Sequence, residues 1–262
     1  MLRQRVATAV VGVPVIFLLI RVGGPWYTAA LAAVVAAAIL EFQSIHHRWF
    51  YPLPTLTAAI GAAMVAGARI DVVWLVWFTF AAIVIPLVWV TLFHPVEAGL
   101  DDWLWALGGT LYIGFLGAHF QLLRDLGSKG DWVFLAVLGT YATDTAAYFV
   151  GRAVGRHRMA PRISPGKTWE GTAGGYAAGF GGVLLFNYYL GLRIETALIV
   201  PLALLVPLAA ILGDLAESMM KRGLHVKDTS HLIPGHGGIV DRMDSLLFAV
   251  PVVYYFATWV VP

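Results

Sequence analysis

Long apolar runs make up most of the chain, interrupted at intervals by short polar or glycine-proline segments. Their length and apolarity are the signal read here. A helix crossing a bilayer needs about 20 apolar residues. Candidate spans fall at 6–21, 26–41, 54–69, 72–93, 103–123, 131–150, 171–190, 195–213 and 240–260. The first three are short, and Gly23-Gly24-Pro25 predicts a tight turn between the first two. The predicted fold is an all-α integral membrane protein, a polytopic bundle of about nine transmembrane helices.

Composition sharpens this picture. The 262 residues are 60% hydrophobic and 12% charged, against roughly 25% charge in soluble domains, and the mean hydropathy is +0.79. Arg3 and Arg5 precede an apolar run as in a signal peptide, but no small-residue cleavage site follows, and many more apolar runs do. The segment therefore reads as a first span. Absence of cysteine excludes disulfides, thiol catalysis and thiolate metal sites. No polar stretch is long enough for a soluble domain, so chemistry belongs within the bundle or at its rim, and no nucleic-acid partner is expected.

Lys and Arg concentrate on the cytoplasmic side of membrane proteins. With the N-terminus inside, 12 of the 17 Lys and Arg fall on inner segments. This orientation places both large polar loops in the cytoplasm and the C-terminus outside, with the polar site facing the cytoplasm of a cell membrane. Two regions are expected: residues 1–130, about five spans for packing, dimerisation and lipid contact, and residues 131–262, a catalytic region of about four spans with both polar loops.

The earlier polar stretch covers residues 140–171. Asp144 sits inside an apolar helix, where a carboxylate either bonds a neighbouring hydroxyl or carbonyl or lines a site. Arg152, Arg156 and Arg158 read equally as head-group anchors. In Ser164-Pro165-Gly166-Lys167-Thr168, Pro and Gly predict an irregular turn before the seventh helix. That turn gathers backbone N–H groups, a Lys and two hydroxyls at a helix N-terminus, an arrangement that holds phosphate. Neither GxxxxGK[ST] nor GxGxxG is present. Gly174, Gly175, Gly179, Gly181 and Gly182 favour close helix packing. His46, His47 and His94 read as loop residues and His119 as a packed polar side chain. No internal repeat suggests a duplicated transporter.

Residues 213–244 carry the densest chemistry. Asp214, Glu217, Lys221, Arg222, Lys227, Asp228, Asp241, Arg242 and Asp244 lie between two apolar segments, together with Pro234-Gly235-His236-Gly237-Gly238. Asp241 and Asp244, three apart, share a helix face, as do Asp214 and Glu217. Facing helix ends could bring Asp214 and Asp241 onto one hard cation. Carboxylate oxygens without cysteine or a histidine pair favour magnesium over zinc. Lys221, Arg222 and Lys227 suit the neutralisation of a polyphosphate, and the glycine-rich turn lets backbone approach a ligand.

The pattern Ser218, Lys221-Arg222, Lys227-Asp228, Pro234, His236-Gly237-Gly238, Asp241-Arg242 and Asp244 resembles the signature of the phosphatidate cytidylyltransferases, also called CDP-diglyceride synthetases. Asp144 to Tyr148 and Ser164 to Gly171 are similar to that family too; the first five spans match only in hydropathy. Gly166 departs from it, since members usually have Lys there, while Lys167 remains. The resemblance implies transfer of a cytidylyl group from CTP to phosphatidate, giving CDP-diacylglycerol and pyrophosphate with magnesium, and it implies a second cation such as potassium. It also implies a homodimer in contact with membrane lipids. On that reading Asp214, Asp241 and Asp244 hold metal. Lys221, Arg222, Lys227, Asp228, His236 and Arg242 act on the triphosphate. Asp144, Ser164, Lys167, Thr168, Ser218, Gly237 and Gly238 contact substrate.

Two other readings use the same residues. A CTP-dependent polyprenol or phytol kinase would pass the γ-phosphoryl group to an alcohol and release CDP. A cation transporter would use Asp144, Asp214 and Asp241 as a pathway, leaving the Lys, Arg and Gly-rich segment without a task.

Overall fold

The computed structural model describes residues 2–45, 52–127, 129–230, 232 and 237–261, with side chains from residue 10 onward. Nine helices occur among them, one for each apolar run. They are α1 (Leu2–Val22), α2 (Gly24–Ser44), α3 (Leu53–Ile70), α4 (Val72–Phe93), α5 (Val96–Asp125), α6 (Asp131–Val154), α7 (Trp169–Tyr189), α8 (Thr196–Gly223) and α9 (Val240–Trp259). Six of them, α2, α3, α4, α5, α6 and α8, are long and apolar enough to cross a membrane. The apolar part of α1 is Val10–Val22. Outside the six stand α7, rich in glycine and tyrosine, and α9, which opens on Asp241, Arg242 and Asp244.

The elements stop where the sequence predicts breaks. Gly23 and Gly24 both take φ near +62°, turning α1 into α2, and Pro25 sits in the first turn of α2, where its missing N–H costs nothing. Asp71 caps α4 by accepting the Val73 N–H at 2.8 Å. A π-helical turn over Thr110–Phe115 lies within α5.

The chain forms two compact units, Met1–Asp125 with Asp228–Arg242, and Leu126–Lys227 with Met243–Pro262. In the first, Val35, Ile39, Met64, Ile113 and Leu123 are fully buried, interleaving α2, α3 and α5. Arg124 is buried there too and donates to the Ile20 and Arg21 carbonyls at the end of α1. His119 is a packed polar residue as expected, with Nδ1 2.8 Å from the Phe115 carbonyl. His94 lies in the turn after α4, but its ring is not solvated: Nδ1 is 3.0 Å from buried Asp102. In the second unit α7 lays Gly171, Gly175 and Gly179 against α6, so the two meet almost backbone to backbone.

Two features depart from the sequence reading. Residues 164–168 are not an irregular turn but strand β2 (Ser164–Thr168), paired antiparallel with β1 (Arg158–Ala160) and irregular in register between Arg158 and Ala160. Pro165 is tolerated because this two-stranded hairpin has edges that need no donor. Helix α8 also runs on to Gly223, ten residues past the predicted span end at 213. Leu, Ala, Glu, Met and Lys in that extension are good helix formers, and Lys221 and Arg222 close its last turn, favourably placed on the helix dipole.

Candidate functional site

The polar extension of α8 displays its charges at helical spacing. Ser218 Oγ lies 3.4 Å from Asp214 Oδ1, one turn away. Lys221 Nζ lies 2.5 Å from Glu217 Oε2, four residues back, with both side chains largely buried. From β2, Lys167 reaches across so that Nζ is 2.7 Å from Asp214 Oδ2. Opposite stands Asp244 of α9. Gly213 permits this approach, since a Cβ there would meet the Asp244 carbonyl oxygen at 2.6 Å. Asp144 of α6 completes the group. Asp144 and Asp244 both feel the charge of Asp214, Asp144 also feels Lys167 and bonds Ser245, and Asp244 feels Lys221.

Beside these carboxylates opens a cavity of about 580 Å³. Its charged lining comprises Asp144, Asp214, Arg152, Arg158 and Lys167, and Thr168 lines it too. Arg152 and Arg158 thus line a cavity, where the sequence left head-group anchoring equally open. Arg152 donates to the Tyr148 hydroxyl at 3.0 Å. Thr168 caps α7 by accepting the Gly171 N–H at 3.1 Å. Gly166 also lines the cavity, and a Cβ there would touch nothing within 4 Å. Ser164, at the other end of β2, pairs with Ala160 and is not among the lining residues.

The hairpin is held from both sides. Glu170, just before the predicted seventh span, accepts from the Arg156 and His157 N–H groups and from the His157 ring. Those bonds, the ring's foremost, keep its carboxyl down at about 2. Arg222 donates from Nε to the Ile163 carbonyl at 3.1 Å, tying the end of α8 to the hairpin. A residue predicted to grip phosphate therefore has a structural contact as well.

In the first unit the later half of the 213–244 segment is organised around two carboxylates. Asp241 is buried, and its Oδ2 accepts the Thr229 N–H at 3.1 Å and the Gly238 N–H at 2.8 Å, with the Thr229 hydroxyl oxygen 3.0 Å away. Glu41, from the end of α2, takes four donors of the same segment. Sequence reasoning missed Glu41; its one signal was a carboxylate closing an apolar helix. Gly237 takes φ +81°. Lys227, Asp228 and Arg242 are exposed, and His236 lies outside the described residues.

A hard cation here would meet oxygen donors only. Asp144, Asp214 and Asp244 offer only carboxylate oxygens, within electrostatic reach of each other, and the Asp214 side chain is 33% exposed. Among the described residues no three acidic or histidine side chains form a closed metal cage.

The sequence model of the cytidylyltransferase family matches residues 3–260. The chain is 33% identical to the phosphatidate cytidylyltransferase of Pseudomonas aeruginosa over 266 residues, covering 96% of this chain and 95% of that protein. With the protein of the same name from Synechocystis it shares 32% over 288 residues, covering 99% and 97%. With that of Bacillus subtilis it shares 30% over 261 residues, covering 97% of each.

Proposed function

The chain belongs to the cytidylyltransferase family, and on that premise we propose that it transfers the cytidylyl group of CTP to phosphatidate, giving CDP-diacylglycerol and pyrophosphate for phospholipid synthesis. The observation that carries this reading is the cavity in which Arg152, Arg158 and Lys167 face Asp144 and Asp214. Cations alone would suit a free phosphate, and carboxylates alone a bare metal ion. Both together suit phosphate groups that arrive with a metal.

In the proposed reaction an ionised phosphatidate oxygen forms a bond to the α-phosphorus of CTP. The bond from that phosphorus to the oxygen bridging to the β-phosphorus breaks, and pyrophosphate leaves with the electron pair. The nucleophile is already charged at neutral pH, so no strong general base is needed. Rate then comes from positioning and from neutralising charge. Lys167, Arg152 and Arg158 hold phosphate oxygens, Thr168 offers a hydroxyl, and Asp144 and Asp214 keep those cations aimed. Magnesium, with Asp214, Asp241 and Asp244 as its ligands, would neutralise phosphate oxygens; a second cation such as potassium belongs to the same proposal.

The signature rather than the geometry assigns the remaining roles. Lys221, Arg222 and Lys227 take the triphosphate and leaving group, His236 donates to a phosphate oxygen, Asp228 and Arg242 belong with them to the catalytic set, and Ser164, Ser218, Gly237 and Gly238 contact substrate. The protein is proposed to work as a homodimer in the cytoplasmic membrane, with nine spans and the N-terminus and site on the cytoplasmic side.

Purified protein in detergent, given CTP labelled at the α-phosphorus, phosphatidate and magnesium, tests the reading. Label is expected in a lipid, with unlabelled pyrophosphate released. CDP formed from a supplied polyprenol, with no lipid label, would reassign the protein as a kinase.

A further inference from the structure

We propose that Glu41 is a positioning residue for the cytidylyl-transfer site, holding Asp241 in place through Thr229 and the N-terminus of α9; this rests on the function proposed above. Glu41 is 7% exposed, and a buried carboxylate must be compensated by donors. It has four. Oε1 accepts the Thr229 hydroxyl at 2.5 Å and the Val240 N–H at 3.1 Å. Oε2 accepts the Ser230 hydroxyl at 2.9 Å and the Ile239 N–H at 2.8 Å.

The two N–H groups belong to the start of α9, where the first turn leaves donors without intrahelical partners. Caps usually come from the preceding few residues; here the cap comes from a different helix, 198 and 199 residues away in sequence. A negative charge at that end also favours the helix dipole. Asp241 lies in the capped turn, and the Thr229 hydroxyl touches both Glu41 and Asp241. Gly238 is forced by the same arrangement, since a Cβ there would fall 2.1 Å from both Glu41 Oε1 and Thr229 Oγ1.

This geometry makes a discriminating substitution available. Each carboxylate oxygen receives one hydroxyl and one backbone N–H. A hydroxyl can turn and accept, but a backbone N–H can only donate. Glutamine has the same shape, yet either orientation of its amide sets an NH₂ group against an N–H. Glu41→Gln therefore loses a cap without changing volume.

The test uses the full chain in detergent, comparing Glu41→Gln with the parent. Hydrogen exchange at the amides of Ile239 and Val240 is expected to rise, while that in α6 and α7 stays unchanged. The kcat for label transfer from CTP falls by about 10- to 100-fold, as for a reacting group displaced by an ångström, with KM for CTP within about twofold. Parental exchange at those amides, or parental kcat, overturns the proposal. If the parent transfers no label, the cytidylyl reading fails, and the exchange measurement still judges the Glu41 contact. Should Glu41→Gln not fold, Thr229→Val keeps both caps and removes only the bridging hydroxyl. A lower kcat with unchanged KM supports the proposal, and parental kcat overturns it.

Discussion

Lys167 and Asp214 form an ion pair at 2.7 Å that joins strand β2 to the polar extension of α8. Their side chains are 21% and 33% exposed, so the pair is half-screened and its value lies in placement more than in stability. It fixes a cation at the edge of the cavity, pointing where phosphate must lie in the proposed reaction.

Lys167→Met should lower kcat/KM for label transfer by about 100- to 1,000-fold, the usual cost of losing one preorganised donor at a transition state. Lys167→Arg keeps the charge but not the point geometry, and should fall between the two. Steady-state kinetics in detergent measures both, and parental kinetics for the Met variant would remove Lys167 from the site.

Asp241→Asn should abolish turnover while the protein remains extractable and monodisperse in detergent. An amide that puts its nitrogen at Oδ2 would meet the Thr229 and Gly238 N–H groups donor to donor; the other orientation keeps those bonds and loses only the charge. Activity loss with an unchanged elution profile separates charge from folding. Near-normal turnover would remove Asp241 from the metal ligands.

Gly166→Lys should fold and remain active. A Cβ at this position meets nothing within 4 Å, and the residue lines the cavity. An added ammonium should lower KM for one of the two phosphate substrates by a few-fold, about the effect of a half-exposed charge contact. A large loss of protein yield would show that the space is filled when the chain works.

Gly238→Ala should lower the thermal midpoint in detergent. Its methyl would press on two side chains that are themselves bonded, and overpacking of this kind costs about 1–3 kcal/mol. Gly181→Ala, where a Cβ also meets nothing within 4 Å, is the control and should leave the midpoint unchanged.

Hydropathy alone located each helix among the described residues, because long apolar runs leave few alternatives, and Gly-Pro breaks marked the first turn. It misplaced the end of α8: the extension 214–223 is helical by propensity and i,i+4 pairing, terms that a hydropathy threshold ignores. The hairpin was hidden because Pro165 and Gly166 read as turn formers, and only the cross-strand pairing of their neighbours Ser164 and Thr168 with Ala160 and Arg158 draws the segment out as a strand. Motif spacing singled out Asp144, Lys167, Thr168 and Asp214, which now share one cavity. Glu41 could not be found that way. Its partners begin 188 residues further on, and no local pattern announces a contact of that range.

Gly213 has one last implication. With the Asp244 carbonyl this close to its α-carbon, no side chain is interposed where α8 meets α9. At that crossing the approach of the two helices is set by main-chain contact rather than by side-chain packing, so the backbones that carry Asp214 and Asp244 meet without a spacer. Any side chain larger than hydrogen at position 213 would have to push those two backbones apart, and with them the α-carbons from which both carboxylates hang.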